Sequence, residues 1–316
     1  MRFKLTDEVS WRGEGLVSKV LLAYARGTPH HPLKLRIFRA LASAFSPKGV
    51  SLQDDAGARL LVDPFDYIGH AMCFSGSYEP LTVGLARRLM KNGGTFLDVG
   101  SNIGLFTCSV GLLPGVRCLA VEAAAAAFAR LQENLSRNSG TGGISAINVA
   151  VGARRSLVRV DKPREGNLGA TRVSGDGSGV EYGAHIVAAV PLNELLVAAE
   201  VRSILLMKVD VEGCEPEVLE GLDFAASYRP EHIIMEWVPD SEARRDNLGL
   251  CFEVLSDNGY EPFAVTGSSF ADTQSLPEEN VWWRSRRGSE IPPVDDHFQR
   301  SKRPSVGPAQ SGPGRE

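Results

Sequence analysis

A doubly wound α/β fold, in which helices cover both faces of a mostly parallel sheet, is predicted by two neighbouring stretches of the chain. In residues 95–106 an apolar run that contains Asp98 is followed by Gly100, Gly104 and the start of a helical pattern. This order indicates a buried strand, a tight glycine loop and a helix N-terminus. Residues 117–122 indicate the next strand, which ends in an acid. Together the two stretches predict a site for a nucleoside-containing ligand at the loop.

The acid that ends the second strand and the spacing of the glycines narrow the choice of ligand. Glu122 stands where a carboxylate can accept hydrogen bonds from both hydroxyls of a ribose. A dinucleotide site favours Gly-x-Gly-x-x-Gly, because the glycines make room for the pyrophosphate. Here Ser101 and Asn102 follow Gly100 directly, so the middle glycine is missing. S-adenosylmethionine, which has an adenosine, a sulfonium and no pyrophosphate, fits this pattern better.

The acid inside the first strand has two interpretations. Asp98 could attract the cationic part of S-adenosylmethionine, or it could only tie down the glycine loop. Free N–H groups at the start of the following helix would favour negative charge.

Composition argues against several classes of protein. The 316 residues, 43% of them hydrophobic, suffice for one large α/β domain or two small ones. A formal net charge of -4 lacks the basic excess of a nucleic-acid-binding protein. No apolar run approaches the roughly 20 residues of a membrane span, and no signal-peptide core follows the N-terminal charges. Five scattered cysteines predict free thiols in a reducing cytoplasm.

Residues 1–73 are predicted to form an N-terminal region of helices with one strand pair. Helical patterns occupy residues 16–24 and 33–45, and the strand pair occupies residues 51–63. The second helical pattern is basic and carries Lys34, Arg36 and Arg39. A helix packed on the next domain with a solvated basic face explains it best, and a substrate lid or a membrane-surface contact stays open.

Residues 74–287 are predicted to form the ligand-binding domain, and residues 288–316, rich in Pro, Gly, Ser and charge, a disordered tail. Residues 163–183 are predicted to form a mobile loop beside the site. Asn167 and Thr171 in that loop are candidates for contact with the substrate. Beyond the strands at the glycine loop, strands are predicted at 144–149, 157–160, 185–190, from Ile204 onward, 232–237, 260–265 and 281–284, the last two as an antiparallel pair. Helices are predicted at 81–91, 123–138, 191–196, 216–221 and 241–258.

A second group of charged residues follows the central apolar strand that begins at Ile204. Lys208, Asp210 and Glu212 stand at alternate positions, so they share one face of an extended strand. Ligands bind at the carboxyl ends of parallel strands, and buried charges there must pair or take part in function. A mutually satisfied salt-bridge cluster is the alternative. Glu236 ends the following strand and is expected at the same edge.

Two further polar residues have a plain structural interpretation. Glu79 precedes Pro80 at the start of a helix, where an acid stabilises the helix dipole. A polar lid over the cofactor is the functional alternative for this position. His232 begins a strand and is expected to be a satisfied structural histidine.

Taken together, these motifs resemble the FkbM family of S-adenosylmethionine-dependent methyltransferases. The matching segments are residues 76–80 (GSYEP), 96–104 (FLDVGSNIG), 121–122, 134–138, 208–215 (KVDVEGCE) and Glu236. The resemblance implies a class I methyltransferase fold, with seven strands of which the last is antiparallel. It also implies O-methylation, commonly of sugar hydroxyls or of secondary metabolites.

The resemblance also implies roles for single residues. It places Asp98, Gly100, Asn102 and Gly104 around the methionine part of the cofactor, with Ser101 in the same loop. Glu122 then lies at the ribose, and Asp210 and Glu212 lie near the transferred methyl group. One departure is that Ala123 follows Glu122 where the family usually has proline. We expect this replacement of proline by alanine to change the shape of the loop after Glu122 more than the binding of the cofactor.

The hypothesis for the chemistry is in-line methyl transfer to a hydroxyl of a small molecule or glycan. A carboxylate must take the proton of the hydroxyl as the bond forms, and Asp210 is the first choice for this base and Glu236 the second. Lys208 would hold a carboxylate or bind an acidic group of the substrate. These acids could instead hold a divalent metal, although no metal is predicted. An NAD-dependent oxidoreductase and a non-catalytic cofactor-binding module are the rival functions, and the oligomeric state is left open.

Overall fold

A computed structural model of the chain describes residues 9–29, 31–160, 173–174, 185–268 and 280–286. The expected tail at 288–316 lies outside these residues, as do Asn167, Thr171 and nearly all of the expected loop at 163–183.

Strands and helices alternate along residues 94–147 and 185–264. The strands are β1 (Trp11–Gly13), β2 (Val50–Asp54), β3 (Arg59–Val62), β4 (Gly94–Val99), β5 (Val116–Val121), β6 (Ile144–Ile147), β7 (Ala150–Gly152), β8 (Ser156–Val160), β9 (Val173–Ser174), β10 (His185–Pro191), β11 (Ile204–Val209), β12 (Pro230–Glu236), β13 (Tyr260–Ala264) and β14 (Asn280–Ser285). The helices are α1 (Gly15–Gly27), α2 (Lys34–Phe45), α3 (Tyr67–Phe74), α4 (Pro80–Leu89), α5 (Leu105–Gly111), α6 (Ala125–Ser136), α7 (Leu192–Ala198), α8 (Glu215–Glu220) and α9 (Glu242–Asp257).

The main sheet has seven strands in the order β13-β14-β12-β11-β4-β5-β6. Only β14, the last strand in the described part of the chain, runs antiparallel to its neighbours β12 and β13. The predicted fold, a seven-stranded doubly wound sheet with an antiparallel last strand, is confirmed. The chain order reverses between β4 and β11, and such a switch point opens a crevice at the carboxyl ends of the strands.

Both faces of this sheet are buried. Because successive side chains along a strand point to opposite sides, each strand contributes side chains to two cores. Phe96 and Leu206 face one hydrophobic core, which also includes Trp11 and Phe38 of the N-terminal region. Leu97 and other residues of the same strands face a second core under α7, α8 and α9. The N-terminal helices therefore share a core with the sheet.

The predicted N-terminal helices and strand pair are present, and the strand pair belongs to a three-stranded sheet with β1. Asn134 of α6 ties this sheet to the glycine loop. The N–H of Leu61 donates to Asn134 Oδ1 at 2.7 Å, and Asn134 Nδ2 donates to the carbonyl of Ile103 at 2.8 Å. Neither β1 nor α3 was expected, because each is short and lacks a clear periodic pattern.

The predicted strand at 144–149 is wrong at its last two residues. The strand β6 ends at Ile147, and β7 belongs to a separate four-stranded sheet in the order β7-β10-β8-β9. The side chain of Asn148 donates to the carbonyls of Glu122 and Ala123 at 2.7 and 3.1 Å. These bonds turn the chain away from the main sheet. In the described part of the chain, no helix combines the length and the apolar character needed to cross a bilayer.

Candidate active site

A cleft opens at the carboxyl ends of β4, β5, β11 and β12, beside the point where the strand order reverses. It brings together ten of the residues expected at the site. These are Glu79, Asp98, Gly100, Ser101, Asn102, Glu122, Lys208, Asp210, Glu212 and Glu236. Gly104 lies just behind the lining, where it begins α5 and packs against Leu131.

Gly100 lets the backbones of two loops touch. Its φ is +82°, in the left-handed region, and a Cβ at this position would lie 1.8 Å from the carbonyl oxygen of Asp210. Glycine is therefore required, and the close approach holds the loop after β4 against the loop after β11.

The backbone amides of the glycine loop are largely occupied. Gly100 and Ser101 donate their N–H groups to the carbonyl of Val121 at 2.9 and 3.0 Å, and Gly104 donates to the carbonyl of Ser101 at 2.8 Å. Asn102 donates its N–H to Glu122 Oε2 at 2.7 Å. None of these four N–H groups is free, so this part of the loop, which precedes α5, cannot cradle a pyrophosphate.

Glu122 joins the loops that follow β4 and β5. Its Oε1 accepts the N–H of Ala124 at 2.7 Å, while its Oε2 accepts that of Asn102. Burial raises the pKa of Glu122 to about 7, although the two amides pull the other way. Each carboxylate oxygen has a second lone pair, so Glu122 can still accept from a hydroxyl of a bound ligand.

Asp98 both lines the cleft and anchors α5. Its side chain is 1% exposed, and Thr107 donates its hydroxyl to Asp98 Oδ2 at 2.5 Å. Burial raises the pKa of Asp98 to about 6 against the opposing effects of Thr107 and Lys208. Ser101 donates its hydroxyl to the backbone carbonyl of Asp98 at 2.9 Å. Ser101 therefore acts on loop shape, and both interpretations of Asp98 stay open.

Lys208 is a buried cation beside the cleft. Its Nζ lies 3.0 Å from Asp210 Oδ2 and 5.1 Å from the centre of the Phe106 ring, and the residue is 1% exposed. Burial alone would lower the pKa of Lys208, but Asp210, Glu79 and Glu236 together outweigh burial and raise it above its ordinary value. A permanently positive Lys208 holds Asp210 at the end of β11.

A second cation, Arg244 in the first turn of α9, holds the other acids. Its Nη2 donates to Glu236 Oε2 at 2.6 Å, and its Nη1 donates to Glu212 Oε2 at 3.3 Å. Glu215 Oε1 lies 3.9 Å from the same guanidinium. Burial would lower the pKa of Arg244, but Glu236, Glu215 and Glu212 raise it.

Glu236 has an unusually high pKa for a carboxyl group. Burial raises its pKa to about 8, Asp210 and Glu212 add to the rise, and Lys208 and Arg244 oppose it. Oxygen atoms of Asp210, Glu212 and Glu236 lie within 4.8 Å of one another, a spacing that a metal ion could use. Since Lys208 and Arg244 already contact these three acids, we assign no metal to them.

Glu79 lies at the cleft, which differs from the simpler interpretation of its sequence position. Its side chain makes no capping bond to α4 and its φ is +45°. It accepts a hydrogen bond from Asn280 Nδ2 at 2.8 Å and lines the same cavity as Lys208. The interpretation as a polar group over the cofactor therefore fits the geometry better than a plain helix-dipole acid.

His232 is a structural residue, as expected. It is 1% exposed, and Trp282 donates its indole N–H to His232 Nδ1 at 3.3 Å. Burial lowers the pKa of His232 to about 4, so the ring is neutral.

Sequence reasoning missed Arg244, Tyr67 and Asn280. A basic residue in the first turn of a helix opposes the helix dipole, so Arg244, three residues after the N-cap Ser241, was a usable signal. Tyr67 and Asn280 carry no such signal.

The cleft offers mainly hydrogen-bond acceptors. Asn102 Oδ1 is buried and has no hydrogen-bond partner among the described residues. With the carboxylates of Asp98 and Glu122 it forms a set that suits hydroxyl, ammonium and sulfonium groups better than phosphates. These residues therefore fit S-adenosylmethionine.

The chain is similar to known proteins in sequence and in fold. A family model described as the methyltransferase FkbM domain matches residues 98–262. A methyltransferase FkbM from Methylobacillus flagellatus is 14% identical with a TM-score of 0.42, over 85% of this chain and 58% of that one. An O-methyltransferase from Bacillus cereus in complex with SAH is 12% identical with a TM-score of 0.41, over 66% of this chain and 82% of that one. The chain thus spans less than two thirds of the Methylobacillus protein, and no curated protein matches it.

Proposed function

The chain belongs to the FkbM family of methyltransferases, and we propose that it transfers a methyl group from S-adenosylmethionine to a hydroxyl of a sugar, glycan or secondary metabolite. The observation that supports this most is the acidic cleft at the switch point, where Lys208 holds Asp210 beside the glycine loop. S-adenosylmethionine supplies a methyl group activated by a sulfonium.

Three residues are proposed to hold the cofactor. Glu122 lies at the end of β5 and accepts from the ribose hydroxyls, as a carboxylate at that place does. Asp98 and Asn102, on either side of Gly100, accept from the cationic methionine part. Their negative and polar oxygens also attract the positive charge of the sulfonium.

Asp210 is proposed as the base that takes the proton of the acceptor hydroxyl. A hydroxyl is a poor nucleophile until a positioned base removes its proton. Glu236 is the weaker candidate, because burial raises its pKa to about 8 and so keeps it mostly protonated at neutral pH. Lys208 positions Asp210, and Arg244 positions Glu236 and Glu212.

The rival functions fit the cleft less well. A dinucleotide would place two phosphates near four occupied amides and several carboxyl groups. A non-catalytic module has no need of the costly burial of Lys208 against Asp210.

The first test is calorimetric titration with S-adenosylhomocysteine and, separately, with NAD. We expect binding of the first in the micromolar range and none of the second. Binding of NAD alone would overturn the methyltransferase assignment of this cleft.

The second test is the substitution Asp210→Asn, assayed by transfer of a radiolabelled methyl group to a panel of glycan and polyketide acceptors. We expect turnover to be abolished while affinity for S-adenosylhomocysteine stays within several-fold, because the amide keeps the shape but cannot act as a base. Asp246→Asn, an exposed acid on α9, is the matched control and should keep full activity. Unchanged turnover in Asp210→Asn would remove this residue from the mechanism.

A further inference from the structure

The first helix of the chain leaves a face of apolar side chains exposed to water. Helix α1 packs through Ser18, Leu21, Leu22 and Ala25. On the opposite face, Leu16 is 78% exposed and Val20 is 59% exposed. Solvent normally meets polar side chains on an amphipathic helix, so a row of exposed apolar residues points to an interaction surface.

The second helix also carries exposed apolar side chains, although Phe45, at its end, lies on the same face as the buried Phe38. Helix α2 packs through Phe38 and Ala42, while Ile37 is exposed by 40% and Phe45 by 64%. Leu33, which precedes the helix, is 53% exposed. Two consecutive helices therefore present apolar side chains outward.

Charge around these helices is strongly one-sided. Residues 15–45 contain no Asp or Glu in a chain whose net charge is -4. Their basic residues are Lys19, Arg26, Lys34, Arg36 and Arg39. Arg26 is used internally, because its guanidinium donates to the backbone carbonyls of Trp11, Met72 and Cys73. Lys34 is also used internally, because its Nζ donates to the carbonyl of Thr28 at 2.5 Å. Lys19, Arg36 and Arg39 are exposed.

Exposed apolar residues with basic neighbours and no acids are the composition of an interfacial helix on an anionic membrane. A second copy of the chain fits less well, because a symmetric contact would bring the same basic patches together. We propose that α1 and α2 form a docking surface for an anionic lipid bilayer, which the protein contacts reversibly and does not span.

This surface is separate from the methyl-transfer cleft but close to it. Helix α1 packs against α3, whose first residue, Tyr67, lines the cleft. Docking would therefore bring the cleft within one helix of the lipid surface. The proposed docking does not depend on which acceptor the cleft binds.

The test is co-sedimentation of the full chain with vesicles of phosphatidylglycerol and phosphatidylcholine, compared with vesicles of phosphatidylcholine alone. We expect binding to the anionic vesicles that weakens with added salt, since screening reduces the attraction. Val20→Glu and Leu16→Glu should each lower the partition coefficient about tenfold or more, because each puts a charge on the face that meets the lipid. Arg36→Glu should act in the same direction through charge.

The matched control is Val197→Glu on α7, where an apolar residue is 67% exposed far along the chain from α1. This variant should bind the anionic vesicles as the unaltered chain does. Failure of the unaltered chain to bind them, or equal loss in Val197→Glu, would overturn the proposal. A dimer in light scattering that Val20→Glu dissociates would assign the face to a second copy. A strong drop in melting temperature in Val20→Glu would instead show that another segment of the chain covers it.

Discussion

Substitution Lys208→Met tests whether the cluster at the end of β11 is held by the buried ammonium. Methionine keeps an unbranched apolar stem one atom shorter than the lysine side chain and removes the ammonium with its charge and its hydrogen-bond donors. Lys208 Nζ lies 3.0 Å from Asp210 Oδ2, and Glu79 and Glu236 also act on it. The variant would leave Asp210 without the cation that it pairs with, whereas Glu236 would keep Arg244.

The expected loss follows from burial. Removing one partner of a buried ion pair costs roughly 3–5 kcal/mol, because the other charge stays unpaired. Asp210 is 28% exposed, so water screens part of this cost. We expect a loss of about 3 kcal/mol in the free energy of unfolding at about pH 8.5.

The loss should depend on pH, with a definite sign. Burial and the neighbouring acids already raise the pKa of Glu236 from 4.5 to about 8. A carboxyl group whose folded pKa is raised binds more protons in the folded state, so its stabilising effect is present at low pH and is lost as pH rises through about 8. Without Lys208 this effect grows, so the loss in Lys208→Met should shrink to about 1 kcal/mol at about pH 5.5.

Urea unfolding at both pH values, followed by tryptophan fluorescence, measures the loss. The control is Arg155→Met, which removes an ion pair with Glu194 whose side chains are 79% and 39% exposed. That change should cost less than about 0.5 kcal/mol at either pH. Equal losses for Lys208→Met at the two pH values would refute the account of the cluster.

Three further predictions concern the same cleft. Arg244→Met should lower turnover about tenfold or more with little change in cofactor affinity, because Glu236 loses the group that positions it. The control is Arg245→Met, which changes the exposed neighbouring residue. Equal activity of Arg244→Met and Arg245→Met would contradict the prediction. Gly100→Ala should abolish S-adenosylhomocysteine binding in calorimetry, since its Cβ would lie 1.8 Å from a carbonyl oxygen, whereas Gly142→Ala meets nothing within 4 Å and should bind normally. The affinity for S-adenosylmethionine relative to S-adenosylhomocysteine should rise between about pH 6 and 8.5 as Glu236 ionises and attracts the sulfonium; a flat ratio would exclude this coupling.

The part of the site that sequence reasoning recovered is the common edge of the parallel strands. Asp98 lies one residue before the end of β4, and Glu122 directly follows β5. The predicted alternation of Lys208, Asp210 and Glu212 along one strand is wrong beyond Lys208, because β11 ends at Val209 and Glu212 has a φ of +55°. All three still reach the cleft, because the carboxyl ends of parallel strands meet at one edge of the sheet. The family resemblance then supplied the number of strands and the direction of the last one.

The parts that could not be predicted depend on contacts between distant segments. Arg244 reaches Glu212 across 32 positions of sequence, and Asn280 reaches Glu79 across 201. No periodic pattern within one element encodes such pairs. The end of β6 at Ile147 could not be predicted for the same reason, because it depends on hydrogen bonds from Asn148 to the carbonyls that follow β5.

The pKa values of the carboxyl groups in the cleft could not be predicted from the sequence either. These values affect which ligand the cleft favours. Among the described residues, six carboxyl groups line the cleft, and Lys208 is the only basic residue of that lining. Burial raises the pKa of Asp98 to about 6, that of Glu122 to about 7 and that of Glu236 to about 8. These groups are therefore close to titration at neutral pH. A bound cation would favour their ionised forms and be attracted in return, whereas a phosphate would be repelled by them. The electrostatics of the cleft thus favour a sulfonium over a pyrophosphate, independently of the glycine spacing.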